Sequence, residues 1–425
     1  MSTTATTPSA PSTASPAAEP FRAGRLTPDH ESTVRDTLPL VGAHINEITP
    51  NFYARMFEEH PELLRDTFNR GNQRAGDQQK ALAASVATFA SMLVDPSAPD
   101  PVAMLSRIAH KHVSLGITAD QYQIVHDHLF AAIVEVLGDA VTPPVAEAWD
   151  EVYWLMAQVL IDAETGMYRS AGVAPGDVFR DAELTGRRAL SATVTELTFA
   201  AADAATDFAE ARPGQYVSVG VVMADGARQL RQYSLVAWDD DGFSIAVQRD
   251  GEVSTALVDD LAVGDRVDAT LPAGDLVLHR DVLAGAAPVV LVSSGIGSTP
   301  MTGMLSVLAA ADTRPTVTVL HADGDAASHA QREATEGYVE ALRAAGATVH
   351  VRTAYRADGA RIDLPTLAGE GVLPGGAHWY LCGGNSFLQD VRAQLEDMAD
   401  DMAGSLAPAG VNVELFSPND WLLGG

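Results

Sequence analysis

The apolar residues of this chain change their spacing twice, and that limits the fold more than any other feature. Up to Tyr168 they recur every three or four residues, the period of an α-helix. From Leu190 to Leu271 they alternate in short runs separated by Gly, Asp and Pro, which reads as an antiparallel sheet or barrel. From Pro288 onward short β-branched runs alternate with helical segments, as in βαβ units. With 425 residues and 47% apolar side chains, the chain can bury a core in each of these parts. The expected architecture is multidomain: an all-α domain, an antiparallel β-barrel and an α/β domain with a parallel sheet. The boundaries fall at residues 25–172, 173–285 and 286–425, with 171–187 reading as a Gly-rich linker. Residues 1–24 are rich in Ser, Thr, Ala and Pro and lack a basic start and an apolar core. They read as a disordered tail and not as a signal peptide.

Charge narrows the partners. A net charge of −29 disfavours nucleic acid and anionic membrane surfaces. No apolar run approaches the roughly 18 residues that span a bilayer. The single cysteine, Cys382, excludes an internal disulfide and fits a reducing cytoplasm.

Within the helical third, Thr27-Pro28 reads as an N-cap followed by proline at the first helical position, and Thr49-Pro50 reads as a second helix start. The segment after Pro50 carries Phe52, Tyr53, Met56 and Phe57. A later face carries Leu82, Val86, Phe89 and Leu93, with the Gln78 amide over its open end. Val102, Leu105, Ile108 and His112 then share one stripe, and a neutral imidazole is the commonest side-chain metal ligand. Thr118 can cap the next helix, whose stripe begins at Tyr122. The last helix starts near Pro144 and presents Trp149, Val152, Met156, Leu160, Glu164 and Met167. A carboxylate on such a stripe is costly unless paired. Either that end of the helix is exposed, or Glu164 accepts from a buried donor. A metal-bound His112 would have such a donor in its second N–H.

The last third carries Ser-Ser-Gly-Ile-Gly-Ser-Thr-Pro after a short strand and before a helix from Met301, with Thr299 as cap and Pro300 opening it. Gly295 and Gly297 let backbone approach a pyrophosphate at a helix N-terminus. After the second strand, Asp323 and Asp325 have no arginine near them in sequence before Arg332. A free ribose 2′-hydroxyl could donate to a carboxylate there, whereas a 2′-phosphate would meet like charge, so NADH is favoured over NADPH.

The segments NFYARMF, DTFNRGNQRAGDQQKAL, AHKHVSLGI and ADQYQIV, in this order and spacing, resemble those of bacterial flavohaemoglobins. The resemblance runs from about residue 27 to the C-terminus. It implies one haem b, FAD and NADH or NADPH as cofactors. It makes His112 the proximal iron ligand, Tyr122 and Glu164 its hydrogen-bonding partners, and Tyr53, Gln78 and Leu82 the distal residues. Phe68 packs on the haem, and Lys111 tunes its potential. The run Arg231-Gln232-Tyr233-Ser234 resembles the flavin signature of the ferredoxin-reductase superfamily. Arg231 suits the pyrophosphate, Tyr233 the ring and Ser234 its N5 edge, with Tyr216 a second flavin tyrosine. Ser254 lies in a loop where Glu252 stands in place of a family glycine. The dinucleotide turn comprises Gly295, Ile296, Gly297, Ser298, Thr299 and Pro300. Cys382-Gly383 resembles the nicotinamide turn, with Gly384 in place of proline. Glu414, Leu415, Phe416, Ser417 and Pro418 resemble the C-terminal motif whose Phe covers the flavin, with Ser417 in place of glycine.

The implied activity is nitric oxide dioxygenation. Electrons pass from NAD(P)H through FAD to haem, and nitric oxide and O2 become nitrate. The rivals are other haem-flavin reductions, such as of hydroperoxides or of nitric oxide without oxygen, a gas sensor with an idle reductase, and a plain diaphorase. A cytoplasmic monomer without integral membrane segments is expected.

Overall fold

The computed structural model describes residues 25–68, 77–95, 97, 101–201, 208, 210–401 and 406–416. The helical part contains α1 (Pro28–Glu59), α2 (Pro61–Asp66), α3 (Asp77–Val94), α4 (Pro101–Val113), α5 (Gln121–Leu137) and α6 (Pro143–Ser170). Thr27 caps α1 by accepting from the His30 N–H, with Pro28 in the first turn. Thr49-Pro50 does not begin a new helix, because α1 runs through both Pro39 and Pro50. An internal proline costs about 3 kcal/mol. Beyond Pro39 the helix buries Ile48, Phe52 and Met56 to 1% exposure or less, at about 1.5–3 kcal/mol each. Burial wins. Thr118 is not the cap of α5: Asp120 holds that position, and the Thr118 hydroxyl donates to the Asp120 carboxylate at 2.6 Å.

Six antiparallel strands close the barrel in the order β1-β2-β5-β4-β3-β6. They are β1 (Phe179–Ala189), β2 (Val194–Ala201), β3 (Tyr216–Val222), β4 (Arg228–Asp239), β5 (Gly242–Gln248) and β6 (Arg266–Thr270). Much of the presumed linker is therefore strand. Of the β1 residues only Ala182 and Leu184 are buried. Two inward apolar residues among charges give too sparse an alternation to read.

The α/β domain has a parallel sheet in the order β11-β10-β7-β8-β9. Its strands are β7 (Val289–Ser294), β8 (Thr316–Asp323), β9 (Thr348–Tyr355), β10 (His378–Cys382) and β11 (Gly410–Glu414). Its longer helices are α7 (Ser298–Ala310), α8 (Arg332–Ala344) and α9 (Asn385–Asp401). The strand order reverses at β7, whose neighbours are β8 and β10. This is the switch point where open α/β sheets leave a crevice at the carboxyl ends of their strands. Helix α7 starts at Ser298, so Thr299 and Pro300 lie inside its first turn and Thr299 is not the cap. The Thr299 hydroxyl donates to the Ile296 carbonyl at 2.9 Å.

Strand β4 touches all three parts. At its start the Arg228 N–H donates to Asp66 (3.2 Å), and the Gln229 amide donates to the carbonyls of Arg65 (2.9 Å) and Phe68 (3.3 Å). Its end lies against α7, where a Cβ added at Gly303 would stand 2.3 Å from the Leu235 carbonyl oxygen. Glycine there lets the helix lie flush on the strand. Among the described residues no helix is long and apolar enough to cross a membrane.

Candidate functional site

A cavity of about 250 Å³ opens among the globular helices and is lined mainly by apolar side chains. Tyr53 from α1, Phe68 after α2, Leu82 from α3, Lys111 and His112 from α4, and Tyr122 from α5 all contribute to its wall. Six of the positions picked from the sequence thus meet in one space. The Gln78 side chain lies outside the described residues, although its backbone belongs to α3. Tyr53 is 5% exposed, 4.6 Å from the Phe52 ring and edge-on to Phe68 at 5.9 Å.

His112 and Tyr122 in this wall share one partner outside it, Glu164, buried on α6 at 2% exposure. Its Oε1 accepts from the Tyr122 hydroxyl at 2.6 Å and lies 2.8 Å from His112 Nδ1. Tyr122 remains protonated, because burial first and the Glu164 charge second push its phenol well above the usual range. A carboxylate that already accepts from Tyr122 acts as acceptor to the imidazole too. That places the His112 proton on Nδ1 and leaves the Nε2 lone pair for a ligand. The Tyr153 hydroxyl donates to the Tyr122 carbonyl (2.6 Å), and the Tyr168 hydroxyl donates to the Ile117 carbonyl (2.7 Å). The first bond holds the start of α5 and the second the segment between α4 and α5. One apolar cavity with an oriented imidazole whose second nitrogen is already bonded suits a planar metal macrocycle.

The second site lies along β3 and β4, where Tyr216 pairs with Ser234, Val217 with Tyr233, Ser218 with Gln232 and Val219 with Arg231. Gln232 donates to the Ser218 hydroxyl at 3.1 Å. Among the described residues the buried Tyr233 hydroxyl has no hydrogen-bond partner, and burial raises its pKa. A bound polar group would satisfy it. Gly274 has φ +109°, and a Cβ there would meet the Tyr216 ring at 2.9 Å. Arg231 lies 3.7 Å from the Glu252 carboxylate. The Ser254 hydroxyl is engaged inside its own loop, accepting from the Asp250 and Gly251 N–H groups.

The third site is the crevice at β7 and β10. Gly295 has φ +52°, and a Cβ on Gly297 would stand 2.4 Å from the Cys382 carbonyl oxygen. On Gly383 it would stand 2.3 Å from the Ser294 hydroxyl. The two glycine turns therefore close on each other, with backbone left bare. Ile296 and Ser298 continue the first turn into α7. Glu414 pairs with Cys382 at the end of β11, Leu415 is buried, and Phe416 is 52% exposed. Ser417 and Pro418 lie outside the described residues.

Residues 50–160 match the Globin family. The Flavohemoprotein of Bordetella parapertussis is 38% identical over 403 residues, covering 88% of this chain and 95% of that one. The chain belongs to the flavohemoprotein family. The Flavohemoprotein of Bacillus subtilis is 32% identical over 397 residues, covering 91% of this chain and 96% of that one. The crystal structure of a flavohemoglobin from Malassezia yamatoensis, with bound FAD and heme, superposes with a TM-score of 0.83. It is 32% identical and covers 93% of this chain and 100% of that one.

Within this flavohemoprotein fold, the structure adds His110 to the residues that the sequence singles out. The Gly274 N–H donates to His110 Nδ1 at 3.2 Å, tying α4 to the loop under Tyr216. His110 and His112 are two residues apart, about 200° around a helix, so they serve two different faces. That angular split was the available signal. Asp323 ends β8 and accepts from the Gly324 N–H at 2.6 Å. Burial alone would raise its pKa, but hydrogen bonds from His321, Gly324 and Ser328 outweigh it and keep the carboxyl below the usual range. The Arg356 guanidinium also reaches this corner, 3.7 Å from where a Gly324 Cβ would be. The premise that no arginine is near therefore holds along the sequence and fails in space.

Proposed function

We propose that this flavohemoprotein is a nitric oxide dioxygenase that spends NADH to turn nitric oxide and O2 into nitrate. Residues 25–172, 173–285 and 286–425 form its haem, flavin and nucleotide modules. The observation that carries the reading is the buried Glu164 carboxylate shared by Tyr122 and His112 in the wall of an apolar cavity. Haem and FAD, when bound, supply an iron centre for oxygen and a carrier that accepts hydride and releases single electrons.

The side chains do the rest. His112 Nε2 would hold the iron, and Glu164 would make the imidazole more electron-rich through Nδ1. Tyr53 would offer its O–H to a small anionic ligand in the apolar cavity, with Leu82 and Phe68 in the same wall. Lys111 adds positive charge beside the ligand. Along β3 and β4, Arg231 would hold the flavin pyrophosphate, Tyr233 and Tyr216 the ring system, and Ser234 its edge. The Gly295–Pro300 turn and Cys382-Gly383 would receive the dinucleotide, and Phe416 would cover the flavin. Asp323 accepts from the ribose 2′-hydroxyl, which favours NADH, while Arg356 at the same corner works against that preference.

Nitrate yield under air and under argon tests the reaction. About two nitrates per NADH under air follow from one electron for each nitric oxide oxidised. Equal NADH-driven nitric oxide consumption under argon would overturn it. Tyr53→Phe is expected to raise the O2 dissociation rate at least tenfold, since a hydrogen bond to a charged group is worth about 1.5–3 kcal/mol. Flash photolysis measures it, and an unchanged rate would remove Tyr53 from its distal role. Glu252→Gln is expected to tighten FAD binding about tenfold by removing a like charge beside the pyrophosphate. An unchanged or weaker affinity in an FAD titration would show that the Glu252 carboxylate does not face the phosphates.

A further inference from the structure

The junction of α1 and α2 carries a cluster that none of this chemistry uses. Glu59 closes α1, His60 is the single residue between the two helices, and His128 reaches them from α5. One ligand atom from each lies within 4.8 Å of the others. His128 is 8% exposed, and its Nε2 is 3.9 Å from the Glu59 carboxylate. That is beyond hydrogen-bond range, so the contact is not a closed ion pair. The two imidazoles meet edge to face with centroids 5.6 Å apart. Glu62 Oε1 lies 3.3 Å from His60 Nδ1. A carboxylate on one ring nitrogen is the arrangement that orients a metal-ligating histidine, because it fixes the proton there and leaves the other nitrogen its lone pair.

We propose that Glu59, His60 and His128 form a binding site for one divalent transition-metal ion, with Zn2+ the best match to two nitrogens and one oxygen. Donor atoms about 2.0–2.2 Å from a shared ion stand closer together than these do. The Glu59 side chain is 70% exposed, so it is free to close the gap onto the two placed rings. Solvent supplies the open coordination position. The ion would tie the end of α1 to α5 and set the start of α2, the helix whose Arg65 and Asp66 meet β4. This site is separate from the proposed iron ligand, so it stands whether or not that assignment holds.

The test uses untagged, haem- and FAD-loaded protein freed of adventitious metal, titrated with Zn2+ against a chromophoric chelator. One ion per chain is expected in the micromolar range or tighter. The affinity should fall at least tenfold in His128→Gln and in His60→Asn, and stay as it was in His126→Gln. His60→Asn changes a junction residue that is not buried, so it keeps the test open if His128→Gln misfolds. Retention of wild-type affinity in folded His60→Asn, or no stoichiometric Zn2+ uptake by the wild type, would overturn the site. A rise in Tm with Zn2+ that both cluster variants lose is the second expected readout.

Discussion

Glu164→Leu is expected to cost the helical domain about 2–6 kcal/mol and to yield protein largely free of haem. The change leaves two donors without their acceptor. Tyr122 loses a 2.6 Å bond and His112 Nδ1 a 2.8 Å one, both to the same oxygen. An orphaned buried donor costs about 1–3 kcal/mol, and a domain has only about 5–15 kcal/mol to lose. The imidazole would keep only the Tyr122 hydroxyl, 3.1 Å from Nδ1, so the ligand nitrogen would be less firmly aimed. Glu164→Gln separates the two effects. It keeps an acceptor oxygen, so the domain should fold and hold haem. It removes the negative charge, so turnover with O2 and nitric oxide should fall about 10–100-fold, the usual scale for removing a ligand's hydrogen-bonded partner. Thermal melts and the Soret-to-protein absorbance ratio measure the first outcome, and steady-state nitric oxide consumption the second. A Leu variant with wild-type Tm and haem content would show that the Glu164 bonds are incidental.

Arg231→Ala should weaken FAD binding about 10–100-fold, so that the protein purifies pale in flavin while its haem spectrum stays normal. The guanidinium is held by the Leu230 carbonyl at 2.7 Å and faces Glu252 at 3.7 Å. Charge-assisted bonds to phosphate are worth about 1.5–3 kcal/mol, which is the stated range as an affinity. Arg231→Lys restores the charge without the planar fork and should fall between the two. Titration of FAD into the apoprotein, followed by quenching of flavin fluorescence, reads all three. Wild-type affinity in Arg231→Ala would place the pyrophosphate elsewhere.

How much of this could be read from the sequence depends on which forces set each feature. The cavity wall was legible because His112 and Glu164 break otherwise apolar helical stripes, and such breaks need partners. The glycine turns at Gly295 and Gly297 were legible because only glycine allows that backbone approach. The unbroken α1 was not legible, since the proline rule is local and the compensating burial of Ile48, Phe52 and Met56 is tertiary. Strand β1 was hidden because just two of its residues point into the barrel core. The role of β4 in joining all three parts was also hidden. Arg228, Gln229 and Leu235 look like ordinary strand residues until Asp66, Phe68 and Gly303 are brought to them. Arg356 beside Gly324 is the same lesson, as it lies 32 residues along the chain from the position it approaches.

In the proposed function, reducing equivalents reach an iron held by His112 from a nicotinamide bound at the β7–β10 crevice. Anaerobic stopped-flow mixing of the loaded protein with NADH tests this directly, with the flavin and Soret bands followed together. Flavin bleaching followed by a shift of the Soret band to its ferrous position is the predicted result. A flavin that bleaches while the haem stays ferric would contradict it.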